Sequence, residues 1–196
     1  GFVKDIKPGM THEQKLKISF DLAMKAEKHI NGPDGIFAPP IFLEYEKIFY
    51  PFYLFGKKKY AANKYEFLDQ KPKMDFKGIE VIRRDNCQML RDLQYAFFQK
   101  LLCEYDEKGA IELVKKTIKD LVKNKIPLEK LIITKKWSKA KYKSPQIHVE
   151  LAKKMKKRDK FNCPTLGERI PYIVKQGQGE LYTRGEDPVW MEKHAV

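Results

Sequence analysis

The apolar residues of this chain change their spacing once, near Asn86, and that change limits what it can fold into. Upstream, Ile41 to Phe67 is dense in aromatic and β-branched residues, with breaks at Pro51 and Gly56, the pattern of an antiparallel meander. Downstream, Leu90, Leu93, Phe97 and Leu101 recur at helical spacing, as do Ile111, Val114, Ile118 and Leu121. Gly109 stands in the predicted break between these two helices, and Pro127 follows the second. A sheet-rich piece gives way to a helix-rich one, and the expected fold class is α+β.

Shorter signals fill in the rest. Phe2 to Ile6 alternates as a short strand would, and Pro8-Gly9 ends it. Thr11 followed three residues later by Gln14 is a capping-box signature. The helix it opens buries Leu16, Phe20 and Ala23, and closes with Lys28 and His29 at its negative end before Asn31-Gly32. Gly32 to Pro40 is a loop. A strand is expected over Leu131–Thr134, a helix over Gln146–Arg158 and a strand over Ile170–Lys175. Gln176-Gly177-Gln178-Gly179 lacks the lysine and following helix of a phosphate loop and reads as a turn. The shift from sheet-rich to helix-rich composition between Lys77 and Asn86 is the expected domain boundary.

Composition narrows the function. The 42% hydrophobic content suits a globular protein. The longest apolar run, Ile48 to Phe55, is too short to span a bilayer and contains Pro51, so no membrane partner is expected. No charged-then-apolar leader stands at the start, and Cys87, Cys103 and Cys163 show no CxxC spacing. They read as reduced thiols of an intracellular protein. The net charge of +14 is unevenly placed. Residues 1–56 carry seven basic and seven acidic groups; the remainder carries 33 and 19. Leu131 to Lys160 alone has eleven basic residues against two acidic ones. Such one-sided excess favours polyanions.

Three blocks carry specific chemistry. Glu44 and Glu46, two apart in a predicted strand, share a face at about 7 Å and could share a divalent cation. The alternative is the wet side of a hairpin, paired with Lys47 or Lys64. Lys57-Lys58-Lys59-Tyr60, read as strand, puts Lys57 and Lys59 on one face and Lys58 and Tyr60 on the other. Its ammonium groups suit phosphates or minor-groove acceptors, which carry little sequence information; the alternative is an edge strand guarded by lysine. Lys77-Gly78 precedes Arg83-Arg84-Asp85, where the arginines suit phosphate and Arg84-Asp85 equally suits an internal salt bridge. In the predicted helix after Gln146, Ile147, Leu151 and Met155 form a core stripe. Lys153, Lys154, Lys156, Lys157 and Arg158 flank it, a row that could track a phosphate backbone.

Together these blocks resemble the end of the palm and the start of the thumb of family B DNA polymerases, of the delta-like replicative type and its large-DNA-virus relatives. Leu43-Glu44-Tyr45-Glu46 is similar to the family's LExE-like palm strand, whose acids assist or bind a peripheral ion. Lys57-Lys58-Lys59-Tyr60 is similar to its KKRY-type motif, which contacts the minor groove of the primer–template duplex; Lys59 stands where many cellular members have arginine. Lys77-Gly78, Glu80 and Arg83-Arg84-Asp85 resemble the KGxExxRRD-like palm–thumb junction. Ile133-Thr134-Lys135, His148-Val149-Glu150-Leu151-Ala152, Lys154-Met155, Arg158 and Gly167-Glu168-Arg169-Ile170-Pro171-Tyr172 follow the thumb pattern in order.

The resemblance implies an antiparallel β remnant of the palm with one flanking helix over residues 1–80. A helix-rich thumb with short strands, incomplete at its C-terminus, would follow over 81–196. It implies primer–template DNA as partner, gripped by Lys57, Lys58, Lys59, Tyr60, Lys77, Gly78, Arg83, Lys135, Lys154, Arg158 and Arg169, with Glu44 and Glu46 as peripheral metal ligands. Mg²⁺ is the expected cofactor of the complete enzyme, and dNTPs are expected only through palm and finger segments not found here. The family's catalytic aspartates, including a DTDS-type turn, are not in this sequence, so the chain alone is expected to be inactive. A nuclear or viral replication site is the implied location. The alternative is a non-catalytic basic nucleic-acid-binding module, or the small subunit of a split polymerase.

Overall fold

The computed structural model describes residues 6–37 and 39–194. The predicted strand at Phe2–Ile6 therefore lies almost wholly outside the described residues. The chain divides into two compact units, one ending at Lys77 and one beginning at Gly78.

In the first unit, helix α1 (His12–Ile30) starts on the capping box read from the sequence: the Gln14 N–H donates to Thr11 Oγ1, and the Thr11 N–H to Gln14 Oε1. Strands β1 (Ile48–Gly56), β2 (Lys59–Tyr65) and β3 (Lys73–Lys77) form an antiparallel sheet in that order. The central strand is buried tightly, with Ala61 and Ala62 fully covered. Helix α1 is tied to the sheet by His12 Nε2 to Tyr65 Oη (2.8 Å) and by Lys15 Nζ donating to Tyr50 Oη (3.1 Å).

Two expectations need correction here. Pro51 does not break β1; it sits at the register shift between Phe49 and Phe52, where a residue without an N–H is tolerated. Glu44 and Glu46 are not in a strand. The backbone of Leu43 bonds to the Asn31 side chain (2.8 and 3.0 Å), and the Tyr45 N–H donates to Glu27 Oε2 (2.6 Å). Side chains at the end of α1 thus take the hydrogen bonds that a neighbouring strand would have supplied.

The second unit begins with paired helices α2 (Gln88–Gln99) and α3 (Glu107–Val122), around Phe98, Leu102 and Ala110. The break between them falls at Tyr105, in the left-handed region (φ 54°), and not at Gly109. Gly109 belongs to the first turn of α3, where its N–H donates to the N-cap Asp106 (2.8 Å); a side chain at 109 would run into that carboxylate. Pro127 opens a 3₁₀ turn (Leu128–Leu131), so β4 starts later than expected, at Ile133–Lys136.

Strand β4 pairs with β5 (Arg169–Val174), and β5 with the short β6 (Gly185–Glu186). Helix α4 (Ile147–Arg158) covers this sheet, burying Leu151 and Ala152 against Ile170 and Tyr172 with Ile147 and Met155 alongside. That is the core stripe the periodicity predicted. Helix α5 (Pro188–His194) closes the described chain. The result is a mixed α+β fold of small antiparallel sheets flanked by helices. Among the described residues no helix is long and apolar enough to cross a membrane.

Candidate nucleic-acid interface

The three lysines of the Lys57-Lys58-Lys59-Tyr60 block do not alternate along a strand. Gly56 pairs with Lys59, so Lys57 and Lys58 are the two residues of a hairpin turn. Lys58 holds a left-handed backbone (φ 62°). All three ammonium groups project from the tip, exposed and without an ion-pair partner among the described residues. A tip can enter a groove where an edge cannot, because its side chains splay on both sides of the turn.

Tyr60, by contrast, faces the sheet. Its ring packs on Phe49 and Phe52 (centroids 5.3 and 5.4 Å), and its hydroxyl lies 3.5 Å from Asp75. Burial, then the Asp75 charge, push its phenol above the ordinary range. The ring is therefore a brace for the tip. Lys77 is the register partner of Tyr60 on β3, so the sheet brings a fourth exposed lysine to the same end of the hairpin. Gly78 follows with φ 64°, a backbone that glycine adopts without strain.

In the second unit Arg83, not Arg84, takes Asp85, through a two-pronged pair of 2.9 and 2.7 Å. The Arg83 hydrogen bond leads the effects that hold the Asp85 carboxyl below its ordinary range. Arg84 is exposed and unpaired among the described residues. The internal salt bridge expected of Arg84 is thus made by Arg83, and Arg84 is exposed.

The sheet separates two further candidates. Lys135 is the register partner of Ile170, and Lys136 of Arg169, so Lys135 lies on the α4 side and Arg169 on the other. Arg169 and Lys136 are exposed like charges directly opposite each other, an unfavourable pairing that a bridging anion would relieve.

On α4, Lys154 donates to the carbonyls of Thr183 (2.6 Å) and Gly185 (3.1 Å), and Arg158 grips buried Glu186 through two bonds of 2.8 and 3.1 Å. The Arg158 guanidinium also lies 4.6 Å from the Trp190 ring. Burial pushes the Glu186 carboxyl up, but the Arg158 fork, the Asp187 N–H and the Lys154 charge outweigh it and hold the group below its ordinary range. Lys154 and Arg158 are therefore committed to anchoring the segment that follows β5. The solvated flank of α4 is Lys156 and Lys157, with Lys153 paired to Glu150 (2.7 Å).

The sequence model of DNA polymerase family B matches residues 10–196. The chain belongs to that family. It is 43% identical over 162 residues to the DNA polymerase delta catalytic subunit of Dictyostelium discoideum, covering 82% of this chain and 15% of that protein. It is 41% identical to the delta catalytic subunit of Drosophila melanogaster (92% of this chain, 16% of that protein) and to that of Arabidopsis thaliana (99% and 17%). The fold is also that of a solved family B DNA polymerase from Pyrobaculum calidifontis, with a TM-score of 0.54 at 21% identity, over 71% of this chain and 18% of the other. The chain spans about one sixth of the length of its delta-type relatives. Within the family it is delta-like and corresponds to the palm and thumb region.

Family membership raises the question of Mg²⁺. Glu44 and Glu46 are exposed, and Glu46 is already paired with Lys47 (2.6 Å). Among the described residues no three His, Cys, Asp or Glu side chains converge on a point where a metal could sit. Two solvated carboxylates do not make a magnesium site by themselves. Sequence reasoning did not single out Glu186, the buried acid that organises the end of the second unit. No local pattern marks it, because its partner Arg158 lies 28 residues away.

Proposed function

We propose that this chain is the part of a family B DNA polymerase that grips the primer–template duplex during templated nucleotidyl transfer. Residues 1–80 serve as the end of the palm and 81–196 as the thumb. The carrying observation is the hairpin tip: Lys57, Lys58 and Lys59 project together from a two-residue turn, exposed and unpaired, on a sheet braced by Tyr60. Point charges so placed bind phosphate and groove acceptors on any sequence, as a copier of DNA requires. Lys77, Gly78, Arg84, Lys156, Lys157 and the Lys136–Arg169 pair extend the same chemistry. Arg83, Lys154 and Arg158 act on DNA chiefly by holding those elements in place.

In this reading the nucleotidyl-transfer carboxylates, the Mg²⁺ ions they hold and the dNTP site belong to other segments of the complete polymerase. Glu44 and Glu46 reach an ion only with ligands from those segments. The chain by itself is inactive, and its place of work is a nuclear or viral replication site.

The test is binding of the chain to a primer–template duplex by fluorescence anisotropy, against the Lys57→Ala/Lys58→Ala/Lys59→Ala variant. The variant should lose about 0.9 from the slope of log K against log salt for each contact removed. An unchanged slope would remove the hairpin from the interface.

A further inference from the structure

The start of α4 borders a cavity of about 230 Å³ that the DNA-gripping lysines of the hairpin do not explain. Among its lining residues Lys135, Glu180 and Leu181 are exposed, and His148 and Tyr172 are buried. Gln146 precedes the helix without capping it, because its amide turns back to Ser144 (3.2 Å to the carbonyl, 3.3 Å to Oγ). The N–H groups of the first turn, at Ile147 and His148, thus receive no side-chain acceptor at the positive end of a twelve-residue helix.

A second, independent observation points into the same place. Both ring nitrogens of His148 are buried without a hydrogen-bond partner among the described residues, a state that native structures rarely leave unanswered. Its neighbour Tyr142 meets the ring edge-on at 5.8 Å, and the Tyr142 hydroxyl is already occupied by the Ser138 and Lys139 N–H groups (3.0 and 3.3 Å). Lys135 Nζ makes one long bond, 3.4 Å, to the neutral Gln146 Oε1. Backbone N–H groups, an ammonium and an unsatisfied imidazole converge, against one rim acid, Glu180.

We propose that this cavity seats one phosphate group, held by the Ile147 and His148 backbone N–H groups, the Lys135 ammonium and a ring N–H of His148. Lys135 exchanges its long neutral bond to Gln146 for a charge-assisted one. The inference rests on the DNA-gripping reading only for the source of the phosphate, which is a duplex backbone if that reading holds and free phosphate otherwise.

Occupancy is linked to protons. Burial, then the Lys135 charge, lower the His148 pKa. Tyr142, from the loop before α4, meets the ring, and the titratable groups that line the cavity with it are Lys135 from β4, Tyr172 from β5, and Glu180 and Tyr182 from the turn after β5. A bound phosphate outweighs Lys135 and favours imidazolium, which raises the His148 pKa. For a duplex phosphate, a monoanion throughout this range, affinity therefore climbs as pH falls through the bound-state value and levels off below the unbound-state value.

The experiment is NMR of the ¹⁵N-labelled chain, following the Ile147 and His148 amides and the His148 ring nitrogens. Sodium phosphate is titrated at constant ionic strength, then a short DNA duplex, each at several pH values. Saturable shifts at these signals with phosphate, a raised His148 pKa, and about a tenfold weakening in the exposed-site variant Lys135→Gln are expected. The same shifts with duplex assign the phosphate to DNA; shifts with phosphate alone establish the seat and assign it to free phosphate. Absence of saturable shifts with both probes overturns the proposal. Anisotropy on the same duplex separates that outcome from failure of the DNA-gripping reading, since DNA binding with His148 unmoved by both probes sinks only the seat.

Discussion

Lys58 holds a left-handed backbone (φ 62°) in the exposed turn of the β1–β2 hairpin, where a side chain with a Cβ costs about 1 kcal/mol or more. Glycine would sit there without that strain. Lys58→Gly should raise stability by about 0.5–1 kcal/mol in thermal melts. At the same time it should lower the salt slope of DNA binding by about 0.9. Loss of stability together with affinity would show that the lysine supports the fold instead of the interface. Arg83 and Arg84 divide in the same way. Arg84→Ala should weaken DNA binding with stability unchanged, whereas Arg83→Ala should cost up to about 1 kcal/mol by releasing partly exposed Asp85. The cations themselves were legible in the sequence, in identity and order. Their partners were not, since Asp85 follows both arginines closely and the backbone at Arg83, extended at the end of the 3₁₀ turn Glu80–Ile82, decides which one reaches it.

At the scale of elements, α4 and the strand–turn segment after β5 form one device, clamped by Arg158 on Glu186 and by Lys154 on two carbonyls. Glu186 is buried, so Glu186→Ala should destabilise the chain by about 3 kcal/mol, at the low end for a broken buried pair because Arg158 stays part solvated. The sign of the pH dependence follows from the lowered Glu186 pKa. Its contribution is fully present above the unfolded-state value of 4.5 and is lost as pH falls through the lower folded-state value. Acid unfolding followed by circular dichroism should show that loss in the parent and not in Glu186→Gln. Helices α1 and α4 were readable from capping and from one apolar stripe. Strand β3 was not, because Lys73–Lys77 offers only Met74 and Phe76 as apolar residues and owes its form to pairing with β2. Strand β6 and α5 escaped for the same reason: two residues and one short helix take their shape from β5 and Arg158, contacts that no local period encodes.

For the whole molecule, charge is the organising fact. The first 56 residues are balanced, and the excess begins with the hairpin tip. Under the proposed function, which places the metal-clamping carboxylates in other segments of the polymerase, purified chain with Mg²⁺, dNTPs and primer–template should give no extension product; templated extension abolished by Glu44→Ala would contradict this. The α+β class and the family were legible because many short motifs keep their order over nearly the whole chain. Which lysines are free and which serve as internal anchors needed the tertiary structure. The most direct test of the account is the affinity of this chain for two unrelated duplexes measured across a salt series. It predicts a steep linear fall of log K with log salt and nearly equal affinities at every point. A flat salt dependence, or a strong preference for one of the two sequences, would contradict it.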